Sequence, residues 1–592
     1  MSHAMAWVMS GRTKGTLAGA ALLLGGAYLG GSGLARASQA GPQITYEEHI
    51  APLLSDRCAM CHHPDGSAPF SLMTYDDAKR HARQIATVTR SRFMPPWKVD
   101  PGDGPFIGQH PLSDAEIDLV ERWVEQGAPG TSVEATSRGG ETGAGPIPPR
   151  GWTTGWQLGT PDLVVSLTEP YRLAGEGSDV FRIFVLPIPV DRERYVRGLE
   201  FRPGNPKVVH HANIRVDRTP ASRALDEADP GPGYTGLIAR SAGYPDGHFL
   251  GWTPGQVAPL VPEDLSWRLA PGTDLVVEIH MQPSGKQEVV QPSVGFYFGD
   301  RPPTRTPAML RLGRQTIDIP AGERHYTITD SYVLPVDVQV LALQPHAHYR
   351  LREALGEAKL PDGTSKQLLR IKDWDFRWQH VYRYVAPLEL PRGTTLSMRY
   401  TYDNSPDNPR NPEHPPKRAR WGQRSADEMG DLWIQTLTRS QADLVALETQ
   451  FRRKVVAEDV HGYEMEIARH PDDVGLRDTA AMLYLELGRA EPAVEHFRRS
   501  LALKGKSAPA HYNLGTALTL ARQLDEAVYE YQRAIAIDPN YANAHNNLGN
   551  VFLAQGRVDE AIREFREVVR LQPDSPSAKA NLAAALQRKA PL

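Results

Sequence analysis

Cysteine is nearly absent. Cys58 and Cys61 are the only two in 592 residues, so no framework of disulfides holds this chain together. Long apolar runs are scarce as well. Apart from one uncharged stretch near the N-terminus, no segment has the roughly 20 apolar residues that a membrane span needs. There is no excess of one charge either. Lys and Arg total 66 against 70 Asp and Glu, which leaves no basic footprint for nucleic acid and no charged tail. Glycine (51) and proline (50) are plentiful instead, as suits loop-rich β structure. The length suits about four domains.

The N-terminus reads as an export signal over residues 1–40. Arg12 and Lys14 precede "GTLAGAALLLGGAYLGGSGLA", and small-residue cleavage sites follow at Ala35-Arg36-Ala37 and at Ala40. The expected location is periplasmic or secreted, in a bacterium. A membrane enters only if this segment stays uncleaved as an anchor.

Both cysteines lie in "CAMCHH", and Cys-x-x-Cys-His is the attachment signature of c-type haem. Thioethers at Cys58 and Cys61 and an iron bond from His62 are expected, giving one covalent haem c and leaving no thiol for a disulfide. A redox dithiol or a zinc half-site is the alternative, but zinc lacks a second Cys pair. Ile44, Ile50, Leu53 and Leu54 form a helical stripe before the motif. After it, "LSDAEIDLVERWVEQGAPG" predicts a closing helix with Ser113 and Glu116 as capping box, Ile117, Val120 and Val124 on one face and Gly127 as the stop. Residues 41–131 thus resemble a small all-α monohaem cytochrome c. Its sixth ligand is expected from the loop between. Met94 in "SRFMPPW" is the candidate and His110 in "GQHPL" the runner-up.

Residues 132–155 read as a Gly/Pro-rich linker. Short β-rich runs follow from Asp162 to Tyr402, among them "FRIFVLPIPV", "TDLVVEIHM", "VDVQVLAL" and "TTLSMRYTY". The expectation is two all-β jelly rolls (β-sandwiches), 156–302 and 303–445. Three histidine features stand out there: His210-His211, His280, and His346-x-His348. Residues at i and i+2 on a strand share a face, so His346 and His348 can serve one metal. Neighbours such as His210 and His211 can do so only at a bulge or a strand end. A lone strand histidine is more often a hydrogen-bonded structural residue, and His248, His325, His380 and His414 keep that reading.

As a set, followed by Met429 in "SADEMGDLWIQT", these histidines resemble the copper type II, ascorbate-dependent monooxygenases, the peptidylglycine α-hydroxylating and dopamine β-hydroxylating family. The resemblance covers roughly residues 155–445 and implies two copper ions. His210, His211 and His280 would hold an electron-transfer copper. His346, His348 and Met429 would hold the copper at which O2 reacts, so these three are the candidate catalytic residues. Imidazole suits copper in both oxidation states and a thioether favours Cu(I). The sequence departs from the peptide-amidating members at Gln344, where they have an Arg, and at Asp431 and Trp433, where they have an Asn and a Tyr. Losing that bidentate cation argues against a peptide C-terminal carboxylate as substrate.

After a helical connector, 446–472, a period of 34 residues emerges. Asn513 and Asn547, then Ala493, Ala527 and Ala561, then Pro539 and Pro573, recur in phase. Residues 473–592 resemble tetratricopeptide repeats, three of them with a capping helix. They imply either a surface for a protein partner or a packing platform for the β domains. Taken together, the expected protein is an exported monooxygenase. It would hydroxylate a C–H bond of a small-molecule or peptide substrate with O2. An external donor would supply electrons through the haem, first to the His210/His211/His280 copper and then to the other. A non-enzymatic haem/copper electron carrier, docked to partners through its repeats, is the alternative.

Overall fold

The computed structural model describes residues 43–589, except 65, 101, 109–110, 131–154, 237, 240, 257–258, 423 and 506. The expected export signal, His110 and most of the 132–155 linker therefore lie outside the described residues. Among the described residues, no helix is long and apolar enough to cross a membrane.

A small helical unit comes first. A π-turn over Tyr46–Ile50 runs into the helix Ala51–Arg57, and the helices Tyr75–Arg90 and Asp114–Glu125 follow. The capping box forms: Glu116 N–H donates to Ser113 Oγ at 3.2 Å and Ser113 N–H donates to Glu116 Oε2 at 2.7 Å. Ile117, Val120 and Trp123 are the buried residues of this last helix, and Val124, partly buried, packs against the same core. Trp123 lies one position away at helical spacing, buries more apolar area, and satisfies its indole N–H on Pro129 O at 3.1 Å.

The centre of the chain is β-rich, with antiparallel sheets throughout. In its first half one four-stranded sheet runs, edge to edge, Leu163–Ser166, Ser293–Gly299, Arg194–Arg202, Trp267–Leu269. A second runs Val180–Pro187, Asp274–Met281, Val209–Asp217, Gly251–Trp252. Phe184, Ile214, Val277, Ile279, Val294 and Phe296 belong to the apolar core that both sheets share. The second half repeats the plan. Ala308–Gly313, Gly430–Thr438, Val338–Ala347 and Tyr382–Leu390 form one sheet. Tyr326–Val333, Thr395–Tyr402, Leu351–Lys359 and Ser365–Ile371 form the other. Alternating burial along Val338–Ala347 shows the period-2 pattern turned inward.

The helical unit is not self-contained. Residues 97–107 leave it and lie along the second β unit. Val99 bridges to Ile371 and Phe106 to Tyr384. Ile107 N–H donates to Arg383 O at 2.7 Å, and buried Asp103 accepts from Gln367 Nε2 and Arg370 N–H, each at 2.7 Å.

The 29-residue helix Gln441–Arg469 is fixed to the same unit by Leu444, Leu447 and Phe451 and by ion pairs of Arg314 with Glu458 and Lys454 with Asp330. Three antiparallel helix pairs follow, from Val474 to Leu571, and then a last helix, Pro576–Lys589. The recurring "NLG" has a steric basis. A Cβ on Gly515 would lie 2.8 Å from the Tyr531 ring, and one on Gly549 2.8 Å from the Phe565 ring. Ala583 takes the third position, on the helix that ends the stack.

Candidate metal centres

The bulge that adjacent histidines require is present. In the pairing of Val209–Asp217 with Asp274–Met281, Val209 faces Met281 and His211 faces His280, so His210 is the extra residue. The imidazole centroids of His210 and His211 lie 5.1 and 4.9 Å from that of His280. Rings sharing one ion at about 2 Å from nitrogen have centroids on the order of 5 Å apart. His211 and His280 are buried, and the Nδ1 atoms of His210, His211 and His280 are all buried with no hydrogen-bond partner. An orphaned buried nitrogen costs about 1–3 kcal/mol, and here three belong to neighbouring rings.

The tautomer of His280 is fixed from behind. Its Nε2–H donates to Asp179 Oδ2 at 2.9 Å, leaving the Nδ1 lone pair bare. The ring also stacks on Phe181, at 4.3 Å and 4°. Burial, then the neighbouring His280, pushes His210 down to about 4. Burial holds His211 well below its ordinary value. Both are neutral at neutral pH.

The second set stands at the end of the strand Val338–Ala347. His346 pairs with Asp431 and Ala347 with Gly430, where the ladder ends; His348 follows this last pair on one strand and Met429 precedes it on the other. The two imidazole centroids are 5.5 Å apart. His346 Nδ1 is bonded to Gln379 Oε1 and His348 Nδ1 donates to Asp427 O at 3.1 Å. Their Nε2 lone pairs are left for a ligand. Burial, then His346, pushes His348 down to about 3.

Glu428 is fully buried and accepts the N–H groups of His348, Arg350 and Met429 at 2.6, 2.9 and 3.0 Å. Burial still lifts it to about 7. This carboxylate ties the His-x-His strand end to the methionine. Tyr402 adds a 2.8 Å bond to Met429 O.

The two sets are neighbours. Phe376 lies 6.0, 5.4 and 5.5 Å from the rings of His211, His280 and His348. Sequence reasoning missed Asp179, Tyr349, Phe376, Gln379 and Glu428. Only Glu428 and Tyr349 carried a signal, as chain neighbours of Met429 and His348. Among the described residues, no group of three or more His, Cys, Asp or Glu side chains is arranged so as to hold a metal ion.

Gln344 lies on the same face as His346, opposite Trp433, which faces Arg311 in the next strand. Arg311 is engaged by Asp459 at 3.3 Å and Asp431 at 4.0 Å.

In the helical unit, Cys58–His62 forms a tight turn: the N–H groups of Cys61 and His62 donate to Cys58 O at 3.2 and 3.0 Å. His62 Nδ1 donates to Phe70 O at 3.0 Å, which leaves Nε2 as a lone pair. Burial, then the Cys61 thiolate charge, pushes the Cys58 thiol up to about 12, and burial raises Cys61. A reactive dithiol has the opposite shift. Met94 is half-buried just beyond the helix Tyr75–Arg90, its N–H donating to Val88 O at 3.1 Å. A cleft of about 670 Å³ opens beside the turn, between Met60 and His63 on one side and Phe201 and Trp252 on the other.

The TPR repeat family model matches residues 522–556 and 549–589. No curated protein matches the chain. Among solved structures the crystal structure of MamA is 26% identical over 23% of this chain and 78% of its own, with a TM-score of 0.22. The second TPR domain of human RPAP3, in complex with an HSP70 peptide, is 24% identical over 19% of this chain and 92% of its own, with a TM-score of 0.18. By the family-model match, the C-terminal helices contain TPR repeats, a class that commonly binds protein partners.

Proposed function

We propose that the chain is an exported monooxygenase, dependent on haem and copper, that hydroxylates a C–H bond of an organic substrate with O2. The observation that carries this reading is the trio of buried, unpartnered Nδ1 atoms on His210, His211 and His280. The residue types suit copper at both sets: three imidazoles at one, and two imidazoles with a methionine at the head of the neighbouring strand at the other. The β-rich centre is read as two jelly rolls, and residues 41–131 as a cytochrome c with Cys58 and Cys61 as thioethers and His62 and Met94 as axial ligands.

Bound copper supplies one-electron redox chemistry and a site for O2. The protein's own residues prepare its surroundings. Asp179 orients His280, while Gln379 and Asp427 O orient His346 and His348. Glu428 holds the strand end against Met429, and Phe376 fills the space between the sets. Gln344 offers no charge and Arg311 is already neutralised by two carboxylates, so the sheet face suits a substrate without a carboxylate. The TPR repeats would dock a protein partner, and an external donor would re-reduce the haem.

Substrate-dependent O2 consumption by the copper-loaded protein tests this reading. Consumption that rises with an organic substrate and disappears in His346→Ala supports it. Electron exchange without any such consumption returns the chain to the electron-carrier alternative.

A further inference from the structure

One short loop, Gly251–Gln256, touches Cys61 of the haem-type motif and reaches chain neighbours of both histidine sets. Gly255 packs on the thiol of Cys61: a Cβ built there would come 2.6 Å from Sγ and 3.9 Å from Met60 Cγ. Its φ of +76° also favours glycine. So the loop backbone lies against the sulfur expected to carry the porphyrin.

From this contact two routes leave. Gly251–Trp252 is itself a strand of the first β unit, and Trp252 pairs with Ala212, the neighbour of His211. In the other direction the loop docks on residues 380–381 of the second β unit. Thr253, buried, bonds through Oγ1 to His380 Nδ1 at 3.0 Å, and Gln256 Nε2 donates to Val381 O at 2.8 Å. The residue before His380 is Gln379, whose Oε1 is bonded to His346 Nδ1. One hydrogen bond therefore separates the loop from the first set, and two separate it from the second.

We infer that the loop Gly251–Gln256 is a branched electron port that serves both histidine sets in parallel, the first through Trp252 and Ala212, the second through Thr253, His380 and Gln379. This rests on the copper reading above. It departs from the serial order expected of the sequence, in which every electron passes His210, His211 and His280 first. Each event moves one electron from ferrous haem to one cupric ion, leaving ferric haem and a cuprous ion. No bond breaks. Two events reduce both ions, and the external one-electron donor restores the haem. His380, which the sequence leaves as an ordinary structural histidine, becomes a positioning residue of the second branch.

The test is flash photoreduction of the haem in the full-length copper-loaded protein under anaerobic conditions. Haem reoxidation is read by its visible absorbance, and each ion's reduction by loss of its electron spin resonance signal. Wild type should show haem oxidation matched by loss of cupric signal at both sets. His280→Ala, which empties the first set, should still lose cupric signal at the second set at close to the wild-type rate. Thr253→Val and His380→Phe should slow reduction of the second set tenfold or more and spare the first. Gly255→Ala should slow both.

If His280→Ala abolishes haem reoxidation while the second copper remains bound, transfer is serial and the port is wrong although the copper reading stands. If His380→Phe and Thr253→Val leave both rates unchanged with copper bound, the second branch is refuted. If wild type binds copper but its haem never reoxidises anaerobically, the internal relay falls along with the port.

Discussion

One carboxylate oxygen joins the two β units: Asp179 Oδ2 accepts the hydroxyl of Tyr349 at 2.9 Å and the Nε2–H of His280 at 2.9 Å. Asp179 precedes a strand of the first unit, and Tyr349 directly follows His348 in the second. Each histidine set is thus held partly by the other's neighbour, which couples their geometry.

Removing that charge should weaken the His210/His211/His280 metal most, because Asp179 bonds His280 directly but reaches the other set only through Tyr349. Asp179→Asn is expected to lower copper affinity at the His210/His211/His280 set about 10–100-fold, the usual effect of losing a carboxylate behind a ligating histidine. Tyr349→Phe keeps the His280 bond and should cost less. Competitive copper titration reads both, and unchanged affinity in Asp179→Asn would contradict the assignment.

In the repeats, packing should outweigh helix propensity at Gly549. Alanine normally gains about 1 kcal/mol over glycine inside a helix. Here its Cβ would sit 2.8 Å from the Phe565 ring, and overpacking costs about 1–3 kcal/mol. Gly549→Ala should lower the melting temperature of the repeats, measured by circular dichroism, and a rise would show that the ring moves freely.

The repeats should also lose stability in mild alkali. His545 Nδ1 donates to Glu564 Oε2 at 2.7 Å, and that hydrogen bond, against the cost of burial, raises the histidine above its ordinary value. A raised value in the fold means that the protonated form stabilises it. The contribution is complete below the unfolded value near 6.5 and is lost as pH climbs through the folded value. Thermal melts between about pH 6 and pH 9 should show this decline, and it should flatten in His545→Gln. The same slope in wild type and variant would refute it. A matching pair, His511 and Glu530 at 2.6 Å, sits 34 residues earlier.

The sequence was most legible where one local rule decides the outcome. The Ser113/Glu116 box, the 34-residue period and the demand for a bulge at His210-His211 all follow from spacing. Residues that act across the fold were hidden. Phe376 reaches three histidines from a loop with no distinguishing pattern, and Asp179 meets Tyr349 across 170 residues of chain. The segment 97–107 reads as part of the helical unit because its partners, Ile371 and Tyr384, lie more than 250 residues away. That Trp123 is buried more deeply than Val124 beside it is settled only by three-dimensional packing.

Metal content, with electron spin resonance on the purified protein, is the most direct test of the central claim. Two coppers and one haem iron per chain are expected, with nitrogen-coordinated cupric signals. Replacing His210 and His211 together by alanine should remove one copper, and replacing His346 and His348 should remove the other. A protein that binds no copper, or whose copper content is unchanged in both double variants, contradicts it.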